Sequence, residues 1–142
     1  MNKNRGGFTL IELMVAVLIV GILASIAMPK FTSLIRVTSE GAAKGNLGTV
    51  RSAVSIYYAD TEGLYPSQLA ALTVSGKYLG VLPPAKAPYY HDDLTTESDG
   101  LLNAATDAGG WQYDNVPGDT YNGFAVVNCT HTDTQGLSWT AY

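Results

Sequence analysis

The chain has 142 residues, enough for one domain with a real hydrophobic core, and a net charge of −4 from 8 Lys and Arg against 12 Asp and Glu. An acidic chain gains no counterion release on nucleic acid, which argues against DNA or RNA as a general ligand. Hydrophobic residues make up 46% of the chain and charged residues only 14%, which indicates that part of it does not face water.

The N-terminus joins a short basic segment to a long apolar one. Residues 1–7 are polar and carry Lys3 and Arg5, and residues 8–28 hold a single charge, Glu12. A helix rises 1.5 Å per residue, so about 20 residues span the roughly 30 Å of a bilayer's hydrocarbon core. The apolar segment is therefore long enough to cross a membrane.

Three interpretations of this segment remain open. It is a secretory signal peptide cut after Ala27, or a plain membrane anchor that tolerates Glu12 near the interface. In the third, the chain is cut after Gly7, and Glu12 lies one helical turn beyond the new amino group of Phe8. A carboxylate in an apolar segment costs about 2–3 kcal/mol near the helix centre. Only the third interpretation gives Glu12 a cationic partner, the Phe8 amine of a neighbouring subunit.

A ten-residue run resembles the type IV prepilin signature: GGFTLIELMV, residues 6–15. The resemblance implies that a membrane aspartic protease, the prepilin peptidase, cuts after Gly7 and N-methylates Phe8. It implies that Glu12 is the assembly glutamate, and the short basic leader is similar to that of the type IVa class. It further implies a single-pass inner-membrane precursor, an inner-membrane assembly platform and a homo-oligomeric helical filament. That filament is an extracellular fimbrium or a periplasmic pseudopilus.

The helical pattern continues beyond the apolar segment. Apolar residues recur at helical spacing over residues 30–60 with charged residues between them, which predicts one helix of about 50 residues. Pro29 is expected to break or kink this helix, because it lacks an N–H and crowds the preceding turn. Gly21 lies a short stretch earlier. The family resemblance implies that the stretch between Gly21 and Pro29 melts when the filament forms.

Residues 61–142 are predicted to form a globular head. The expected elements are a short helix that starts at Pro66, two loops, and three strands near the C-terminus. Their ranges are residues 66–72 for the helix, 77–88 and 89–107 for the loops, and 111–113, 121–129 and 137–142 for the strands.

The predicted fold class is α+β. A long N-terminal helix packs on a small antiparallel β-sheet head, which is the pilin fold of the family resemblance. The domain organisation predicted is a cleaved basic leader (1–7), a transmembrane or filament-core helix (8–29), an amphipathic helix (30–60) and the head (61–142).

One acidic segment offers a weak calcium candidate. Asp92, Asp93, Glu97 and Asp99 supply carboxylate oxygens close together in sequence, as flexible calcium loops do. A calcium site in the head would resemble the major pseudopilins of type II secretion. No EF-hand spacing is present, so a solvated acidic loop is favoured, and no other cofactor is expected.

The remaining reactive side chains give no local signature. His91 and His131 are far apart in polar segments, which favours solvated residues over a transition-metal site. Cys129 follows an apolar run and is interpreted as a small buried hydrophobe, with a reactive thiol as the alternative. Because no catalytic set is recognisable, we do not expect an enzyme.

The resemblance favours a structural pilin, the major subunit of a type IV pilus-like filament. A pseudopilin of type II secretion is the alternative, since Gly63 to Pro66 with Leu69 and Leu72 resembles that branch as well as many short pilins. Cys129 has no partner, so the chain departs from the two-cysteine type IVa pilins. An alternative of another class is a soluble exported binding protein cut after Ala27.

Overall fold

The computed structural model describes residues 7–100, 102 and 105–142, and at positions 92 and 93 it describes the backbone. The rest of the predicted leader, residues 1–6, lies outside the described residues. Within the described residues the elements are the helix α1 (Leu10–Asp60), a 3-10 helix (Leu69–Gly76), the strands β1 (Ala85–Ala87), β2 (His91–Leu94), β3 (Glu97–Asp99), β4 (Trp111–Tyr113) and β5 (Ala125–Val127), and a second 3-10 helix (Trp139–Ala141).

Helix α1 is continuous through both Gly21 and Pro29. The helix break predicted at Gly21 and Pro29 is therefore absent from the isolated chain, and a kink at Pro29 stays a prediction. Pro29 has no N–H to donate to the carbonyl of Ser25, but the hydrogen bonds of the turns on either side continue the helix across this gap. Melting of the stretch between Gly21 and Pro29 during filament formation stays a prediction.

The chain divides into two compact units, Met1–Ile35 and Arg36–Tyr142. The second unit contains the C-terminal half of α1 together with the head. Its core is built where one face of α1 meets the sheet, through Ala43, Leu47 and Val50 on the helix and Trp111 and Tyr113 on β4. Each large apolar side chain buried in this way contributes about 1.5–3 kcal/mol to stability.

The two core aromatics of β4 also satisfy their polar atoms. Nε1 of Trp111 donates to the carbonyl of Pro83 at 2.8 Å, and the hydroxyl of Tyr113 donates to the carbonyl of Pro66 at 2.8 Å. Buried tryptophan and tyrosine usually find such partners. These bonds fix the two proline-containing loops against the sheet.

The head contains two small sheets. β1 pairs with β2 in an antiparallel ribbon, and a three-stranded sheet has the order β3-β4-β5. β4 pairs with β5 antiparallel, with Trp111 opposite Val127, whereas β3 pairs with β4 parallel. The α+β class is confirmed, but the sheet is mixed rather than antiparallel. The segment between Asp99 and Trp111 is long enough to carry the chain back for a parallel pairing.

The strand predicted at residues 111–113 is confirmed, and the one predicted at 121–129 is shorter, Ala125–Val127. The strand predicted at 137–142 is wrong. Residues 139–141 form a 3-10 helix, and only Thr132 and Ser138 form a bridge. The carboxylate of Asp133 accepts the N–H groups of Gln135 (2.8 Å) and Leu137 (3.0 Å). Those donors are therefore withdrawn from a strand ladder.

Other head segments also differ from prediction. The helix expected at residues 66–72 is a 3-10 helix, Leu69–Gly76, which begins after Gln68 rather than at Pro66. β1 lies in the segment predicted as the first loop, and β2 and β3 lie in the segment predicted as the second.

Candidate functional site

The predicted processing site lies immediately before α1. Gly7 and Phe8 are outside the helix, which begins at Leu10, and Phe8 is 73% exposed. A Cβ placed on Gly7 would meet no described atom within 4 Å. Both residues are thus exposed within the described part of the chain, and cleavage between them with N-methylation of Phe8 stays a prediction.

Thr9 and Glu12 form a capping box at the first turn of α1. The N–H and the hydroxyl of Thr9 donate to Oε2 of Glu12 at 2.9 and 2.7 Å, and the N–H of Glu12 donates to Oγ1 of Thr9 at 3.3 Å. This is the reciprocal arrangement of a Thr-x-x-Glu sequence at a helix N-terminus. The box fixes the position of the Glu12 carboxylate beside Thr9, at the start of α1. The Thr-x-x-Glu pattern of residues 9–12 is a sequence signal for this capping box that the predictions above did not use.

The first unit exposes a continuous apolar surface. An 18-residue window of α1 has a mean hydropathy of 2.7, and none of that window is buried within the chain. A helix that is apolar on all sides needs lipid or other helices around it. By length and composition this helix is able to cross a membrane.

One face of the apolar N-terminal part of α1 carries an open groove that contains Glu12. The groove has a volume of about 430 Å³ and is lined by Phe8, Ile11, Glu12, Val15, Ala16 and Ile19. Except for the Glu12 carboxylate, these side chains are apolar. A second helix that packed into this groove would therefore contact the Glu12 carboxylate.

In the second unit, charged residues of α1 hold the C-terminal segment. Glu40, which is 4% exposed, accepts the N–H of Thr134 at 3.1 Å and also its hydroxyl. Nζ of Lys44 donates to Asp133 at 2.8 Å and to the hydroxyl of Tyr142 at 2.7 Å. Side-chain bonds between distant segments thus fasten the end of the chain to the helix.

Arg51 adds a third attachment further along α1. Its Nε donates to the carbonyl of Ala125 at 3.0 Å, and its NH2 group donates to the carbonyl of Tyr142. Burial lowers the pKa of the Arg51 guanidinium, which is nevertheless always charged at neutral pH. This half-buried guanidinium is stabilised by its bonds to carbonyl oxygens.

The ion pair between Lys44 and Asp133 shifts the pKa of each partner. Burial raises the pKa of Asp133, but hydrogen bonds from Lys44, Tyr142 and two backbone N–H groups outweigh it, so that this pKa lies below its usual value. The bond to Asp133, followed by the bond to Tyr142, raises the pKa of Lys44. Both residues are therefore charged at neutral pH.

The weak calcium candidates lie in two strands that belong to different sheets. Asp92 and Asp93 are in β2, and Glu97 and Asp99 are in β3. The expectation that these four acids lie in one loop is therefore wrong. The side chains of Asp92 and Asp93 lie outside the described residues, and calcium binding stays a prediction.

The Glu97 carboxylate forms a hydrogen bond with a distant segment of the chain. Its Oε1 accepts the N–H of Leu69 at 2.5 Å, where the 3-10 helix begins. Burial, together with the neighbouring Asp99, raises the pKa of Glu97 to about 7, although the Leu69 N–H opposes the shift. This carboxyl therefore changes its charge near neutral pH.

A second cluster brings together four side chains that are far apart in sequence. Ligand-type atoms of His91, Asp107, Cys129 and His131 all lie within 4.8 Å of one another. The prediction that the two histidines are separate solvated residues is wrong. Sequence reasoning missed the cluster because the positions of β2 and of the segment before β4 are set by long-range packing.

Burial raises the pKa of the Cys129 thiol to about 11, and Cys129 is fully buried, as expected for a small core residue. The N–H of Thr130 is the largest of several influences that lower the pKa of Asp107 to about 2. At neutral pH the Asp107 carboxyl is therefore ionised and the Cys129 thiol is protonated.

In sequence order, the chain has an apolar helix that is long enough to cross a membrane and then an α+β head. This organisation fits a membrane-anchored precursor. Residues 2–28 match the family model described as the prokaryotic N-terminal methylation motif. This match covers most of the predicted leader, the predicted processing site and the apolar part of α1 up to Met28.

Several relatives are similar over part of their chains. Fimbrial protein EcpC of Eikenella corrodens is 43% identical over 83 residues, 56% of this chain and 54% of the relative. Type IV major pilin protein PilA of Myxococcus xanthus is 39% identical over 61 residues, 43% of this chain and 28% of the relative. Type II secretion system core protein G of Pseudomonas aeruginosa is 38% identical over 66 residues, 46% of each chain.

The chain thus spans about half the length, or less, of these relatives. No solved structure matches it. Together, the motif and the relatives support a type IV pilin-like family for this chain, in which both pilins and pseudopilins are represented.

Proposed function

We propose that this chain is the major pilin of a type IV pilus-like helical filament, made as a prepilin, cleaved after Gly7 and N-methylated at Phe8. The observation that carries the proposal is the single carboxylate, Glu12, placed four residues after Phe8 in a fully exposed apolar helix. The match of residues 2–28 to the methylation motif supports it, as do the relatives that are named as pilins.

The physical basis is that one apolar surface serves in two environments. Before assembly it faces lipid, and after assembly the same side chains face neighbouring helices. In both cases the apolar helix stays out of water. The apolar side chains therefore stay covered when a subunit moves from the membrane into the filament.

Glu12 sets the register of that assembly. After cleavage, Phe8 carries an amino group, and the amine of one subunit pairs with the Glu12 carboxylate of the next. A subunit in the wrong register leaves a carboxylate unpaired among apolar side chains, which is strongly unfavourable. The capping box holds the carboxylate in place until that amine arrives.

The proposed partners follow from this life cycle. They are further copies of this chain, a prepilin peptidase, an inner-membrane assembly platform and the inner membrane itself. The proposed location is the inner membrane first and an extracellular filament later. Relatives named as pilins and fimbrial proteins favour a structural role over catalysis.

A pseudopilin of a type II secretion system is the second candidate. It is favoured by the similarity to a type II secretion system core protein G over 66 residues. In that case the same assembly would form a short periplasmic pseudopilus instead of a surface fimbrium.

The test is to replace the chromosomal copy in the native host with the parent sequence, Glu12→Gln or the matched control Glu62→Gln. Glu62 is an exposed acid in the turn after α1. Surface filaments sheared from the cells are then analysed by electron microscopy and mass spectrometry.

The proposal expects this chain as the main filament protein in the parent and in Glu62→Gln, with filaments reduced at least about tenfold in Glu12→Gln. Short periplasmic assemblies without surface filaments would support the pseudopilin instead. Recovery of the chain as a soluble periplasmic protein that begins at Met28 would favour the exported binding protein and overturn both.

A further inference from the structure

We propose that His91, Asp107, Cys129 and His131 form a binding site for a divalent transition-metal ion of the zinc class. The site would join three parts of the head: strand β2, the segment before β4 and the segment after β5. It is independent of the N-terminal helix and of the assembly that we propose for it.

The spacing of the donor atoms fits a tetrahedral ion. Oδ1 of Asp107 lies 3.2 Å from Nε2 of His91 and 3.3 Å from Nδ1 of His131, and Sγ of Cys129 lies 3.6 Å from the same Nδ1. Donors about 2.0–2.3 Å from a tetrahedral zinc ion are about 3.3–3.7 Å apart. All four donor atoms lie within 4.8 Å of one another, so side-chain shifts of about 1 Å would bring them onto one ion.

The donor types also point to zinc. Two imidazoles, one thiolate and one carboxylate are the ligands that zinc uses, whereas calcium and magnesium prefer oxygen alone. The chain has only two histidines and one cysteine, and all three lie in this cluster. Such a convergence is hard to explain by the packing of a small head alone.

The surroundings hold two of the donors in place. Oδ1 of Asp107 accepts the N–H of Thr130 at 2.8 Å. The ring of His131 stacks on Tyr90, with centroids 3.9 Å apart and an interplanar angle of 11°. Outer contacts of this kind orient metal ligands before the ion binds.

The backbone of Gly109 shapes the cluster next to His91. Gly109 has a φ of +78°, and a Cβ at this position would lie 3.0 Å from Cβ of His91. A larger residue at position 109 would therefore push the imidazole away from the other donors.

Binding would expel the thiol proton, so that the ion gains a bond to sulfur and one H⁺ is released to solvent. The ion would then connect segments that lie 16 to 40 positions apart in the chain. Closing such loops restricts the unfolded chain and stabilises the head.

Cobalt titration of the full chain in detergent micelles, under reducing conditions, tests the site. Co²⁺ reports on the donors, because a thiolate-to-cobalt charge-transfer band requires Cys129 and intense visible bands require tetrahedral coordination. The proposal expects both features at one ion per chain, and their loss when Zn²⁺ displaces Co²⁺. It also expects Zn²⁺ at a hundredfold excess over its Kd to raise the thermal unfolding midpoint by about 8 °C.

Three variants and one control locate the ion. Cys129→Ser should abolish the charge-transfer band, and His131→Gln and Asp107→Asn should weaken Zn²⁺ binding at least about 100-fold, as loss of a metal ligand costs more than loss of an outer contact. The side chain of His131 is 41% exposed, so His131→Gln should fold even if Cys129→Ser does not. The control is Asp119→Asn, which alters a loop carboxylate that also accepts a backbone N–H.

Two results would overturn the proposal. One is the absence of Zn²⁺ or Co²⁺ binding tighter than about 1 mM to the parent chain. The other is binding that survives unchanged in His131→Gln and Cys129→Ser, which would place the ion on other groups.

Discussion

The carboxyl group of Glu97 should give the head a pH dependence between pH 5 and pH 8. Its pKa is raised from 4.5 to about 7, chiefly by burial and then by the neighbouring Asp99. Because the folded-state pKa lies above the unfolded value, the folded chain binds more protons in this range. Its contribution to stability is fully present below pH 4.5 and is lost as pH rises through 7.

The size of this stability change follows from the pKa shift of Glu97 and from the exposure of its side chain. A shift of this size corresponds to about 3 kcal/mol for a fully buried group, since one pKa unit equals about 1.4 kcal/mol. Glu97 is only half-buried, so solvent screening reduces the expected effect to about 1–2 kcal/mol. Groups with lowered carboxyl pKa values, such as Asp133, act below pH 4, and the Cys129 thiol acts above pH 9, so neither overlaps this range.

The perturbation is Glu97→Gln, which removes the titration and keeps an oxygen that can accept the N–H of Leu69. The assay is thermal unfolding of the full chain in detergent micelles at pH 5, 6, 7 and 8, with Glu62→Gln as the control for loss of an exposed acid. From pH 5 to pH 8 the parent should lose about 1–2 kcal/mol of unfolding free energy relative to Glu97→Gln, while Glu62→Gln should follow the parent. Parallel profiles for the parent and Glu97→Gln would refute the reasoning.

Three further substitutions test the second unit by the same unfolding assay. Lys44→Met should lower the free energy of unfolding by about 2 kcal/mol, because it leaves the buried Asp133 carboxylate without its cation; an unchanged midpoint would contradict this role. Gly110→Ala should lower it by at least about 2 kcal/mol, since φ is +77° and the new Cβ would lie 2.4 Å from the carbonyl oxygen of Thr96. Gly48→Ala, the same change in an open stretch of α1, should instead raise it by about 0.5–1 kcal/mol, and a loss there would point to a packing role for this glycine.

The sequence predicted the long helix well because its signals are local. An uninterrupted apolar run followed by helical periodicity specifies α1 over about 50 residues, and the structure gives Leu10–Asp60. β4 was also predictable, because Trp111 and Tyr113 are aromatic and follow a turn at two glycines. The processing and assembly residues rest on a contiguous motif, which needs no tertiary contacts to be recognised.

The rest of the head could not be predicted from local pattern. β3 has the polar sequence Glu-Ser-Asp, which is unfavourable for a strand and becomes one only by pairing with β4. The C-terminal run alternates like a strand, but Asp133 captures the N–H groups that a ladder would need. The cluster around His131 depends on three segments meeting in space, which residue spacing does not reveal.

The most direct test of the proposed function is mass spectrometry of the N-terminal peptide of the protein isolated from its native host. The account predicts a mature chain that begins at Phe8 and carries one methyl group on its amine. A chain that begins at Met28 would show ordinary secretion, and one that retains residues 1–7 would show that no prepilin processing occurs. Either result would contradict the role assigned to Glu12.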